Sequence, residues 1–331
     1  KEILNNKITG KSVWFMRQAG RYLPEFKKIR SENTDFIKLC LNSELSSLIT
    51  LQPINRFDLD SAIIFSDILM IPYALGQEVN FVKNEGPELN KFIYKRLLEN
   101  NEVNFSRTLE PVYKAINLTR RKLDSKKSLI CFVGAPWTLL VYMLNLREDK
   151  LKINLTKLNS IKKQEIDAII DVLVNFICIH IKNQINAGAD VVQIFDSWAG
   201  IIPNERIEDY CFSPNKKIVD FCKKNKIVSI CFPRGIKEKY KQFNNIVKPD
   251  GLNIDYDLNP EWAKSQLKNV VLQGGLNPKA LLEPDKKMFE EATKYIKAFS
   301  NMPYIFNLGH GLLPETDPDK LKKLINFYRE Y

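Results

Sequence analysis

Two arginines, Arg17 and Arg21, stand four residues apart in the stretch VWFMRQAGRYLPEF (13–26), directly after an apolar run. On a helix that spacing would put like charges on one face, a repulsion of roughly a few tenths of a kcal/mol. Something acidic is therefore expected opposite them, and a solvated turn with two surface arginines is the plainer alternative. Other reactive residues follow other apolar runs: Ser66 and Asp67 after AIIF (62–65), Asp196-Ser197-Trp198 after VVQIF (191–195), then Arg234, Asp255, and His310 between Gly309 and Gly311. A carboxylate, a hydroxyl, an imidazole and guanidinium forks suffice for electrostatic stabilisation and proton transfer. Each has a structural reading too. Asp67 could cap the turn after it, Ser197 could simply end a strand, and Trp137 and Trp198 could pack loops. His180, amid apolar neighbours in a helical pattern, reads as a core or surface histidine rather than a functional one. His310 is harder to set aside, because the bare backbone of its flanking glycines lets a ligand come close.

Several chemistries are absent from the string. No GxSxG elbow surrounds a serine, and neither GxGxxG nor GxxxxGK[ST] occurs. Two histidines, His180 and His310, cannot build a histidine-rich metal site, and the six cysteines form no CxxC pair. Those cysteines lie mostly in apolar segments and read as buried reduced thiols. The expected site works by charge and proton placement, with no metal, nucleotide or covalent nucleophile.

Eight short runs must position it: VWFM (13–16), AIIF (62–65), LICFV (129–133), VVQIF (191–195), IVSICF (227–232), GLNI (251–254), VVLQ (270–273) and YIFNL (304–308). They are continuously apolar rather than alternating, as parallel strands covered on both faces should be. Helical patterns separate them. Asn259-Pro260 and Asp317-Pro318 are N-caps with proline at the first helical position, and the apolar spacing from Ile161 to Ala187 stops at Gly188. Alternating strands and helices, eight times over, predict an α/β fold: a (β/α)8 TIM barrel in which residues 1–331 form a single domain. The stretch 76–89 reads as a loop or hairpin over the mouth. No apolar run approaches the ~20 residues that cross a bilayer, so no membrane partner is expected. The net charge of +11 suits an anionic ligand, but its lysines are scattered as doublets, which gives little support to nucleic-acid binding. The chain starts at Lys1 without a methionine, which implies an upstream segment removed or omitted.

Five strings in order, VWFMRQAGRYLPEF, FSDIL (65–69), GAPWTL (134–139), FDSWAG (195–200) and LGHGLLP (308–314), closely resemble the signature segments of the uroporphyrinogen decarboxylase family. The resemblance implies a cofactor-free, homodimeric barrel enzyme of the cytoplasm or the plastid. It would convert the four acetates of uroporphyrinogen III to methyls, giving coproporphyrinogen III and carbon dioxide. By motif position Arg17 and Arg21 match the substrate-carboxylate arginines, Asp67 the central aspartate, Tyr142 the active-site tyrosine, Ser197 the serine of FDS and His310 the histidine of GHG. Gln18, Ala19 and Phe195 match further substrate contacts. Three places depart from the pattern: GGLNP (274–278), FPRG (232–235) and Tyr256 after Asp255. A corrinoid-linked, zinc-using methyltransferase of the same superfamily and a non-enzymatic anion carrier are the competing readings; no HxC pair follows a strand to support the first.

The implied chemistry fits the residue types. An octacarboxylate needs arginine forks, which contribute about 1.5–3 kcal/mol per charge-assisted contact and fix direction. Losing carbon dioxide from a pyrrole acetate needs protonation of the ring, and an anion about 4 Å from the resulting cation stabilises it by ~4 kcal/mol at an effective dielectric near 20. Asp67 is expected to be that anion. On intrinsic pKa the proton donor would be Tyr142 or His310, with Arg17 or a substrate carboxyl as the other sources.

Overall fold

A computed structural model describes residues 1–6, 8–82, 86–148 and 152–331. All eight apolar runs become parallel strands: β1 Ser12–Val13, β2 Ser61–Ile63, β3 Ser128–Gly134, β4 Val191–Asp196, β5 Val228–Pro233, β6 Gly251–Ile254, β7 Val271–Gly274 and β8 Tyr304–Phe306. Their order around the sheet is β1-β8-β7-β6-β5-β4-β3-β2, a nearly closed barrel. Between β1 and β2 the ladder gives way to Asp60. Its N–H donates to Val13 O at 3.0 Å, while its carboxylate accepts from the Val13 N–H at 2.6 Å. Arg329, from the last helix, donates to the same carboxylate at 2.9 Å and fastens the seam.

The continuous apolar character of the strands has two destinations. Alternate residues face helices such as Ser43–Arg56, Glu102–Lys122 and Lys163–Asn186 in the larger core. The others fill the barrel: Trp14, Met16, Ile63, Ile130, Val191, Val228, Ile230, Phe232, Val271 and Ile305. Leu4, from the short helix Glu2–Asn6, joins this inner cluster; a Cβ on Gly251 would meet it at 2.8 Å. Above that plug lies a polar layer. Gln273 donates to Gln193 at 3.1 Å and to Asn253 at 2.8 Å, and accepts from the Trp14 indole at 2.9 Å. Because all three amides are fully buried, their pairing is what makes polar groups tolerable there.

The 76–89 stretch contains an antiparallel hairpin, Val79–Val82 with Gly86–Leu89; residues 83–85 lie outside the described residues. It sits on the carboxyl-end side of the barrel. Gln77 donates to Met143 O at 2.8 Å and Asn145 to Leu89 O at 2.9 Å, so the hairpin is tied to the helix Pro136–Met143 that follows β3. Of the two places open to His180, core and surface, the structure gives the core: it is 3% exposed, with Tyr113 OH 3.0 Å from its Nδ1. All six cysteines are unpaired, and five are buried. Among the described residues no helix is long and apolar enough to cross a membrane.

Candidate active site

The loop after β1 is a tight turn that Gln18 builds. Its side chain accepts from the Phe15 N–H and donates to Ser61 O, each at 3.0 Å, and it has no exposed surface. Gln18 therefore fixes the turn, and its side chain is turned away from the mouth; Ala19 beside it packs partly buried on the core. The reward of this construction is Arg17, held at φ +62°, a left-handed backbone that non-glycine residues rarely adopt and that is stored at functional positions. Arg17 keeps solvent-accessible surface although protein surrounds it, the signature of a group inside a cleft. Desolvation, helped by the charge of Arg21, lowers its pKa. Arg21 stands exposed at the end of the turn, where an open cavity of about 390 Å³ is lined by Arg21, Phe26, Lys27, Arg30, Pro314 and Glu315.

Asp67 lies four residues beyond β2 and does cap the turn after it. One carboxylate oxygen caps the following turn, accepting from the Leu69 N–H at 2.8 Å; the other has no hydrogen-bond partner among the described residues. Burial raises its pKa to about 6, against the lowering effects of that N–H and of Arg17. It is thus predominantly ionised at neutral pH.

The loops after β3 and β4 are locked to each other through Asp196. Thr138 donates to it at 2.7 Å and Asn215 at 3.2 Å; the Thr138 hydroxyl in turn accepts from the Trp198 N–H, and the Trp137 indole donates to Trp198 O at 2.9 Å. Both tryptophans are consequently buried loop packing. The lock presents Tyr142, Ser197 and Phe195, each half-buried, to the mouth. Tyr142 meets the Trp198 ring edge-on at 6.1 Å, and burial raises its pKa. Phe195 sets its ring edge against Phe132 at 5.8 Å, an aromatic floor above the Gln193 layer.

The loop after β8 closes the circle onto β1. Leu312 N–H donates to Met16 O at 2.9 Å, and Gly311 lies so near Arg17 that a Cβ there would meet its Cδ at 2.4 Å. Only glycine leaves the guanidinium stem its place. His310 Nδ1 accepts from the Gly311 N–H at 2.7 Å, so the ring proton is on Nε2. Burial, with Arg17 and Arg234, pushes its pKa down to about 3. His310 is a neutral donor of one hydrogen bond, with no spare proton to give as an acid.

Arg234, singled out above only by its strand-end position, and Asn307, not singled out at all, also belong to the mouth. Asn307 lies inside the β8 run; its side-chain oxygen accepts from Met16 N–H at 3.2 Å and Leu308 N–H at 2.8 Å, so it ends both strands. An asparagine closing an otherwise apolar run was the available signal. Among the described residues Arg17, Arg21 and Arg234 have no ion-pair partner.

Such a mouth, with guanidiniums that make no ion pair among the described residues and a buried carboxylate over an aromatic floor, is the site of a TIM-barrel enzyme. Residues 5–331 match the family described as uroporphyrinogen decarboxylase (URO-D), and the chain belongs to that family. Similar proteins include the uroporphyrinogen decarboxylases of Orientia tsutsugamushi (strain Ikeda), 40% identical over 324 residues covering 96% of this chain and 94% of the relative, and of Rickettsia felis, 40% identical over 346 residues covering 100% and 97%. Among solved structures, a methyltransferase from Methanosarcina mazei superposes with a TM-score of 0.80 at 17% identity, covering 99% of this chain and 96% of that one. That likeness concerns the fold alone. Among the described residues no three His, Cys, Asp or Glu side chains converge into a metal-ligand set of the kind a zinc-using methyltransferase would need.

Proposed function

We propose that this chain, acting as one domain over residues 1–331, decarboxylates uroporphyrinogen III to coproporphyrinogen III in porphyrin and haem biosynthesis, removing the four acetate carboxyls as carbon dioxide. The observation that carries the reading is the buried Asp67 carboxylate, with one oxygen free of hydrogen bonds, in a mouth whose arginines Arg17, Arg21 and Arg234 make no ion pair among the described residues. Arg17 and Arg21 take substrate carboxylates, which resolves the like-charge pair in MRQAGR: the missing acid belongs to the ligand. Asp67 stabilises the pyrrolic cation formed on ring protonation. Tyr142, Ser197 and Phe195 bound the macrocycle, His310 donates Nε2–H to it, and Gln18 and Ala19 position the arginines.

The tuning of the site also ranks the proton donors. Burial takes Tyr142 away from acidity, and His310, pushed down to about 3, has no spare proton to give at neutral pH, whereas desolvation lowers the Arg17 guanidinium from its ordinary value and so favours it over the other two. Arg17 is therefore assigned as the protein's donor to the ring carbon. The homodimer and the absence of a cofactor belong to the proposal on the family resemblance alone.

The test is anaerobic incubation with uroporphyrinogen under reducing conditions, then chromatography of the oxidised products. Stepwise loss of carboxyls down to the tetracarboxylate is expected. Recovery of the octacarboxylate alone, from protein that is folded, would refute the function.

A further inference from the structure

Arg234 is the first residue after β5, and β5 lies four strands from β1 whichever way the barrel is travelled. Arg17 and Arg234 therefore stand on opposite sides of one mouth. The backbone of Arg234 is clamped: its N–H donates to Asp196 O at 3.1 Å, and its own O accepts from the Gly200 N–H at 2.8 Å. Gly235, at φ +83°, donates its N–H to Asp255 at 2.6 Å, and the same oxygen accepts from Tyr240 OH at 3.0 Å. The turn is thus held by the β4 exit on one side and the β6 exit on the other. Gly200 and Gly235 touch backbone to backbone; a Cβ on Gly200 would lie 2.7 Å from Gly235 Cα.

This rigid turn carries a cation whose acidic neighbour, Asp255, acts on it electrostatically without forming an ion pair. The Arg234 side chain is half-buried and has no ion pair among the described residues, and the adjacent Asp255 is already engaged by Gly235 and Tyr240. Its charge is felt across the mouth, where it adds to burial and Arg21 in lowering Arg17, and to burial and Arg17 in keeping His310 neutral. Like charges held in opposition by a stiff frame are unfavourable until an anion bridges them.

We propose that Arg234 is a second carboxylate anchor, holding a side-chain acid on the edge of the substrate opposite the one gripped by Arg17 and Arg21. This deepens the function proposed above and rests on it. A macrocycle bearing acids around its whole rim reaches both anchors at once, whereas a ligand with acids on one edge cannot, so the pair selects a cyclic polyacid. A remote anchor binds ground state and transition state alike, and its loss should appear in KM more than in kcat.

The experiment is steady-state decarboxylation of uroporphyrinogen by wild type, Arg234→Gln and Arg234→Lys, with thermal melts of each. KM should rise about tenfold or more in Arg234→Gln with a smaller change in kcat, and Arg234→Lys should recover part of the loss, as charge without the fork. An Arg234→Gln protein with wild-type KM, or one that loses kcat at unchanged KM, would overturn the anchor. If Arg234→Gln does not fold, Arg234→Lys decides: a KM raised several-fold supports the anchor and unchanged kinetics overturn it. Wild type that fails to consume uroporphyrinogen would instead defeat the underlying function.

Discussion

Asp67 is kept charged at the expense of the fold. Its carboxyl has a folded-state pKa of about 6, above the value of roughly 3.9 usual for an aspartate in an unfolded chain. Between those values the native state holds a proton that the unfolded chain has released. Stability from this group is fully present at low pH and lost as pH rises through about 6. Asp67→Asn, which can keep the bond from the Leu69 N–H, should therefore melt about 2 °C or more above wild type at pH 8, with a smaller gain at pH 5. A lower melting temperature at pH 8 would show that the charge is not a burden. The same ionisation should govern catalysis in the wild type: kcat/KM reports the free enzyme, and should fall with pH below about 6. His310, already neutral down to about pH 3, adds nothing to that limb.

At the scale of elements, the site depends on how closely the β8 loop approaches the β1 turn. In Gly311→Ala the new methyl would press on Cδ, Cγ and Nε of Arg17, and the flexible guanidinium stem would yield before the backbone did. Melting should change little while kcat falls about a hundredfold, as expected for roughly 1 Å of misplacement; unchanged kcat would detach Arg17 from the chemistry. The eight strands were legible because burial on both faces writes a continuously apolar run. Their ends were less so. VWFM stops pairing after Trp14, whose N–H donates to Phe306 O at 3.3 Å, since Phe15 N–H is taken by the Gln18 side chain and Met16 N–H by Asn307. The polar layer went unread because Gln193, Asn253 and Gln273 each sit singly in an apolar run, and only the barrel's register brings them together. Strand-end position located Asp67, Ser197, His310 and the arginines. Adjacency could not tell that Gln18, between two mouth-facing arginines, points the other way, because side-chain direction in a turn is set by its hydrogen bonds.

Across the whole molecule, charge and shape serve one task. A net charge of +11 on the full chain is spread over scattered lysines, but guanidiniums without ion pairs among the described residues gather at the carboxyl ends of β1 and β5. Long-range attraction brings a polyacid in, and the forks then set its orientation. The amino end is plugged by Leu4 and the interior filled, so chemistry is confined to the one rim where the loops converge. The central claim is that binding and cation stabilisation are divided there, with arginines gripping the carboxylates, Arg17 among them also supplying the ring proton, and Asp67 stabilising the cation that results. Asp67→Asn separates them, in paired measurements of uroporphyrin binding by fluorescence titration and uroporphyrinogen turnover. The division predicts an octacarboxylate bound no more than a few fold more weakly, with decarboxylation slowed roughly a thousandfold, the worth of ~4 kcal/mol of cation stabilisation. Turnover at the wild-type rate in that variant would contradict it.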